Sequence, residues 1–281
     1  MQPESLGVIG LGAMGGSLAW QALRHGASRV VAWTKFPADA AAAVRAGAVT
    51  EVAHSPRHVI MRSDLVVIAA PPAPTMDLLR ELAPLIRERG VLVTDVSSVK
   101  QPVMDLVQRL SLGDVFAGSH PLCGTERSGF AAAQPDLYRG ALVYVTPAAN
   151  GERAEREIRD FWRGLMEASP VLIDAALHDH QLARTSHLPQ VVSTLLAVTL
   201  DRVAPKGTSY GPGARDVTRL ARSNPQMWRD IAMLNRHQVD EALAAFQETL
   251  GEFRRALDRG DAAAMEHLFT LGHAFEPRVR E

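Results

Sequence analysis

The chain has 281 residues, 47% of them hydrophobic, enough for one large domain or two ordinary ones with a sizeable core. Lys and Arg total 30 against 31 Asp and Glu, a balance without the basic footprint that nucleic acid or an anionic membrane selects. No apolar run approaches the ~20 residues of a membrane span, Met1 to Ser5 leave no room for a secretory leader, and the single Cys123 excludes an internal disulfide or a multi-cysteine metal cluster.

A soluble, cytoplasmic protein without a bound metal is therefore expected. Its first apolar run, Leu6 to Ile9, enters a turn with glycines at 10, 12 and 15, and a helical pattern follows with Leu18, Ala19, Ala22 and Leu23 on one side. Strand, Gly-x-Gly-x-x-Gly and helix in that order are the context of the dinucleotide fingerprint. Gly10 would make the tight turn, Gly12 would admit a pyrophosphate to the backbone, and Gly15 would let the helix pack close. Leu11, Ala13 and Met14 complete this predicted cofactor loop. Arg29 to Trp33 reads as a second strand. Where NAD sites carry a ribose-binding carboxylate, this chain has Thr34 and Lys35, which would welcome a 2′-phosphate. NADP is the expected cofactor, with NAD possible; the plainer reading leaves Lys35 a solvated loop residue.

A helix is predicted from Pro37 to about Ala46, ended by Gly47. Leu65 to Ala70 is a continuous apolar run, as in a strand buried on both faces. Pro71-Pro72 stops it, a helix covers about Thr75 to Arg89, and Val91 to Thr94 forms another buried strand. This alternation gives a parallel sheet whose ligands lie beyond the carboxyl ends of the strands. Three segments end there: Ala70-Pro71-Pro72, Asp95-Val96-Ser97-Ser98 and Gly118-Ser119-His120-Pro121. Ala70, Pro71 and Ser97 are accordingly expected to face the cofactor.

Ala141 to Val145 and Val171 to Ile173 read as added strands around a helix near Glu152 to Met166. From Ala175 onward no strand is predicted. A long helix spans about Leu177 to Val203, and Asn224-Pro225 opens another. Met227, Ile231, Leu234, Val239, Leu243, Phe246, Leu250, Phe253 and Leu257 then describe one apolar face on a single helix of some thirty residues. Such a face calls for a helical partner, so a homodimer is expected. The fold class is thus α/β, with a Rossmann-type parallel-sheet domain over 1–174 and an all-α dimerisation domain over 175–281.

Near the strand ends, Ser98, Lys100, His120 and Cys123 are the groups that could do chemistry. His120 could act as a base near neutral pH, although a lone loop histidine is as readily structural. Cys123 has no base beside it and reads as a small buried filler.

Four segments carry a resemblance. Gly118-Ser-His-Pro-Leu-Cys-Gly-Thr-Glu-Arg-Ser-Gly129 resembles the Gly-x-His-Pro-x-x-Gly-Thr segment of prephenate dehydrogenases, and Asp95-Val-Ser-Ser-Val-Lys100 that family's Asp-x-x-Ser-Val-Lys. Ser186-His-Leu-Pro189 is similar to its Ser-His-Leu-Pro, and Gly213 to Asp230 to its long C-terminal signature. The resemblance implies oxidative decarboxylation of a cyclohexadienol dicarboxylate to a phenol, in tyrosine biosynthesis. It implies that His120 is the catalytic histidine and that Ser98 bonds at the reacting hydroxyl and helps orient it. Arg219 would bind a substrate carboxylate, with His187, Thr125, Gln190 and Glu126 around the same pocket. Many relatives carry a second histidine where this chain has Gln190. No appended regulatory domain or fused mutase is expected. The substrate could be prephenate, arogenate or a variant such as 4-amino-4-deoxyprephenate. Rival readings are a β-hydroxyacid dehydrogenase or imine reductase, which share the glycine turn, and a redox sensor that binds NADP without turnover.

Overall fold

Five parallel strands, β1 (Ser5–Ile9), β2 (Arg29–Trp33), β3 (Glu51–Val52), β4 (Leu65–Ile68) and β5 (Leu92–Asp95), form a sheet in the order β3-β2-β1-β4-β5. The computed structural model describes residues 3–124, 127–205 and 207–275, which fall into two compact units, 1–235 and 236–281. Every residue of β1 and β4 is buried, as continuous apolar runs in a parallel sheet require. Alternation sends Leu6, Val8, Leu65 and Val67 into one core and Ile9, Val66 and Ile68 into the other.

The connections are α1 (Ala13–Arg24), α2 (Pro37–Arg45), α3 (Pro56–Arg62), α4 (Pro72–Arg89) and α5 (Gln101–Arg109). Neither β3 nor α3 was expected, because two and seven residues are too few to display a period. Helix α4 begins three residues before the expected Thr75, since its prolines occupy the first turn, where no N–H is needed.

A second sheet of β6 (Ala117–Pro121), β7 (Leu142–Pro147) and β8 (Ser169–Leu172) pairs β6 antiparallel and β8 parallel to β7, with α6 (Glu152–Gly164) between β7 and β8. A parallel bridge between Val93 and Phe116 sets β6 alongside β5. His120 therefore lies inside a strand, paired with Tyr144, and not in a loop as the Ser-His-Pro string suggested.

Among the described residues after Asp174 there is no strand. Helix α7 (Ala175–Leu182) runs through a π-helical turn, Ala183–His187, into α8 (Leu188–Val203). Helix α9 (Pro212–Val217) and a 3₁₀ turn, Arg219–Arg222, lead to α10 (Pro225–Leu234). The expected single helix from Met227 to Leu257 is two. Asn235 (φ −109°, ψ 29°) separates α10 from α11 (Arg236–Arg259). The five-residue step from Leu234 to Val239 could not lie on one straight helical face, and the break absorbs it.

In the second unit α11 is followed by α12 (Ala262–His273), with Phe253 and Phe269 edge to face at 5.9 Å. Phe246, Leu250, Leu257, Phe269 and Leu271 are exposed in the single chain. Among the described residues no helix is long and apolar enough to cross a membrane.

Candidate active site

The three glycines of the first turn differ in what surrounds them. Gly10 has φ +108°, and a Cβ there would stand 2.3 Å from the Ala69 carbonyl oxygen. A Cβ on Gly15 would stand 1.8 Å from the Gly10 oxygen, so α1 can approach β1 only without one. A Cβ on Gly12 would meet nothing within 4 Å, and no side chain caps the N-terminus of α1 that Gly12 opens. An open approach to uncapped helix N–H groups suits a phosphate. The loop after β6 folds onto this turn: Gly124 packs toward the Met14 sulfur, and the Tyr138 hydroxyl donates to the Met14 carbonyl at 2.8 Å. Cys123, its thiol pushed up to about 12 by burial, packs against the core as a filler.

At the end of β2, Thr34 accepts from the Phe36 N–H at 3.3 Å. Lys35 is exposed, its Nζ 5.0 Å from the Phe36 ring centroid. Ala70 and Pro71 lie at the end of β4, where Thr75 Oγ1 donates to the Ala70 carbonyl. Ser97 departs from expectation. Its hydroxyl turns inward to the Asp95 carboxylate and to Lys100 Nζ (3.1 Å), because a buried ion pair needs its remaining hydrogen-bonding positions filled. Its backbone N–H donates to the same carboxylate at 3.0 Å, so Ser97 serves the buried pair and not a ligand.

Asp95 and Lys100 are both fully buried, Nζ to Oδ2 2.5 Å, and the other carboxylate oxygen accepts from the Ser119 N–H at 3.2 Å. Burial pulls Lys100 below the usual lysine range, against the attraction of Asp95 and Asp179. Beside this pair sits His120. Its Nδ1 is 2.8 Å from His178 Nε2, and His178 Nδ1 is 2.7 Å from Asp179 Oδ1. The Asp179 carboxylate also accepts from the backbone N–H groups of Lys100 (2.7 Å) and Gln101 (2.9 Å). Burial, then the neighbouring His178, Lys100 and His187, hold His120 well below 6.5; burial also lowers His178 although Asp179 opposes it. Both imidazoles are neutral at pH 7. The sequence reading missed His178 and Asp179; the local signal was the run of titratable residues 178–180 in the middle of a half-buried helix.

His187 ends the π turn, a device common at functional sites. It is buried, with Nδ1 3.3 Å from Asn235 Nδ2, its ring edge to face with Trp228, and Nε2 without a partner among the described residues. Burial pushes its pKa down to about 4. Gln190 has a different task from the pocket role expected of it. Its amide donates to the Leu220 carbonyl at 2.7 Å and to Thr194 Oγ1 at 3.4 Å, pinning the turn that carries exposed Arg219. A neutral amide can serve a backbone carbonyl in this way. Ser98 is half-buried at the end of β5 and makes no hydrogen bond among the described residues, so His120 is oriented by His178 and not by Ser98. Thr125 and Glu126 lie outside the described residues.

A family model described as "Prephenate dehydrogenase, nucleotide-binding domain" matches residues 19–168, and one described as "Prephenate dehydrogenase, dimerization domain" matches residues 174–271. The prephenate dehydrogenase of Bacillus subtilis is 31% identical over 273 residues, 95% of this chain and 72% of that protein. The cyclohexadienyl dehydrogenase of Zymomonas mobilis is 30% identical over 267 residues, 92% of this chain and 90% of that protein. The crystal structure of prephenate dehydrogenase from Aquifex aeolicus, in complex with hydroxyphenyl propionate and NAD+, superimposes with a TM-score of 0.87 at 28% identity, covering 97% of this chain and 96% of that one.

Proposed function

The chain belongs to the prephenate dehydrogenase family, and from that premise we propose that it oxidatively decarboxylates prephenate to 4-hydroxyphenylpyruvate, using a nicotinamide dinucleotide, in tyrosine biosynthesis. The observation that carries the reading is His120, a base buried on β6 with its ring held by His178, four residues before the Gly124 that packs toward Met14 of the glycine turn. A bound nicotinamide supplies the hydride acceptor. The protein's part is to draw on the C4 hydroxyl as the C4 hydride leaves and the ring carboxylate departs as carbon dioxide. His120 Nε2 does this, with Ser98 as a second hydrogen-bond partner at the same oxygen. The phenol keeps the hydroxyl proton, and the electron pair freed by decarboxylation completes the aromatic ring. Arg219 takes a substrate carboxylate. At His187, Nδ1 faces the Asn235 amide donor, which leaves Nε2 as a buried donor that a substrate oxygen would satisfy. Thr125 and Glu126 complete the pocket in this reading.

The dinucleotide pyrophosphate would lie over Gly10 to Gly15, and Thr34 with Lys35 would favour NADP over NAD. The exposed apolar residues of α11 and α12 would pair with a second copy. Prephenate and arogenate share the ring, carboxylate and hydroxyl, so His120, Ser98 and Arg219 would serve both. We expect arogenate to be accepted within about a hundredfold.

The test is reduction of NADP+ and NAD+ at 340 nm with each substrate, for wild type and His120→Asn. NADP+ should be preferred at least tenfold, and the variant should lose ~10²–10⁴ in kcat while still binding cofactor. No turnover of either substrate would overturn the reading in favour of a sensor or of an imine or hydroxyacid enzyme. An unchanged His120→Asn rate would remove that histidine from the chemistry.

A further inference from the structure

The buried chain that begins at Asp179 has a direction. A carboxylate only accepts hydrogen bonds, so His178 Nδ1, 2.7 Å from Asp179 Oδ1, must carry the proton. In a neutral imidazole that leaves His178 Nε2 as an acceptor. Facing it at 2.8 Å, His120 Nδ1 must then be the donor, and the lone pair of His120 falls on Nε2. We propose that His178 and Asp179 are positioning residues that fix the tautomer and ring orientation of His120, so that its Nε2 is held as the base for the substrate hydroxyl. This rests on the dehydrogenase reading above.

Several contacts make the arrangement rigid. Asp179 is anchored by the backbone N–H groups of Lys100 and Gln101, at the start of α5, and its own carbonyl accepts from Asn235 Nδ2 at 2.9 Å. The His178 ring is packed edge to face by Tyr144 (5.7 Å), the residue opposite His120 on β7. His178 is fully buried and Asp179 nearly so, so water does not compete for these bonds. A histidine present only to fill the core could be bonded in either sense; the anchored carboxylate removes that choice. As the substrate hydroxyl leans on Nε2, positive charge grows on His120 and is stabilised through His178 toward Asp179. No proton need leave Nδ1 for this, and the hydroxyl proton stays with the product, so the step balances without another reactant. The logic is that of a histidine oriented by a buried acid, with a second imidazole interposed.

The test has two independent arms. With 15N-histidine in the wild-type protein at pH 7, long-range 1H–15N spectra should show His120 protonated at Nδ1, although free imidazole side chains in water favour the proton on Nε2. An Nε2–H tautomer at His120 would overturn the proposal, whatever the enzyme turns over. The second arm is kinetic. His178→Phe should lower kcat by about 10²-fold with KM within about threefold, whereas His178→Gln, whose amide oxygen can accept from His120 Nδ1, should recover at least tenfold of that loss. A wild-type kcat in a folded His178→Phe protein, or equal losses in both variants, would also overturn it. If no cyclohexadienol is turned over, the dehydrogenase reading fails, and the tautomer measurement still decides whether His178 and Asp179 set His120.

Discussion

Gly12 and Gly15 sit three residues apart, one at the N-cap of α1 and the other in its first turn, and adding the same methyl group at each has opposite outcomes. At Gly12 the backbone is extended (φ −73°, ψ −163°), and an added Cβ meets nothing within 4 Å. Alanine caps a helix slightly less well than glycine but lowers the entropy of the unfolded chain. The two effects nearly cancel, leaving about 0.5 kcal/mol or less and about 2 °C or less in Tm. The methyl would occupy the space through which a pyrophosphate approaches the α1 N–H groups. Losing one charge-assisted hydrogen bond costs ~1.5–3 kcal/mol, so the Kd for NADP+ should rise about ten- to hundredfold. At Gly15 the Cβ would stand 1.8 Å from the Gly10 oxygen and 2.8 Å from the Ala69 Cβ, and α1 would have to move away from the sheet. Overpacking of this kind costs about 2–3 kcal/mol and should lower Tm by about 5–10 °C. Thermal melts without ligand, followed by calorimetric titration with NADP+, separate the two. A folded Gly12→Ala protein that binds NADP+ within twofold of wild type would refute the placement of the pyrophosphate.

Arg219→Ala should raise the KM for prephenate about ten- to hundredfold with little change in kcat; a KM within twofold would mean that the carboxylate is held elsewhere. His187 gives a signed pH dependence. Its pKa falls from 6.5 unfolded to about 4 folded, so the unfolded chain binds the extra proton between those values, and stability is lost as pH drops from about 6.5 towards 4. The full gap corresponds to about 3 kcal/mol, and urea titrations of His187→Asn should show a slope about one proton shallower over that window. Because His120 also lies well below 6.5, kcat/KM should stay flat from pH 8 to about 6.5 and fall only at more acid pH. Sedimentation at micromolar concentration should give about twice 30.4 kDa, and Phe246→Glu with Leu250→Glu should yield a smaller species; a wild-type monomer would remove the partner-helix argument.

Strand β2 could be read to its last residue because Arg29 to Trp33 is bounded by turn residues and its burial is a local matter of side-chain type. The glycine turn was legible for the same reason. What the string could not disclose depends on partners far away in the chain. His120 looked like a loop residue until β7 supplied Tyr144 as its strand neighbour, and His178 is 58 positions away from it. Asp179 is an unremarkable helical acid until the N–H of Lys100, 79 positions earlier, meets it. The helix break at Asn235 was half visible, in the five-residue step from Leu234 to Val239, yet its use could not be seen: the Asn235 amide ties Asp179 to His187. The motif from Asp95 to Lys100 makes the distinction clearest. As a string it marks the family, and its residues read as candidates for chemistry. In the folded protein Asp95, Ser97 and Lys100 spend their side chains on one another inside the sheet edge, where removing one partner would strand a buried charge at about 3–5 kcal/mol. That closed cluster holds the Ser119 N–H on one side, while the Lys100 N–H holds Asp179 on the other, so the motif's work is to set the two ends of the histidine chain at a fixed spacing. Ser98 apart, a family signature of this kind identifies the neighbourhood of the proposed base through residues that need never touch the substrate.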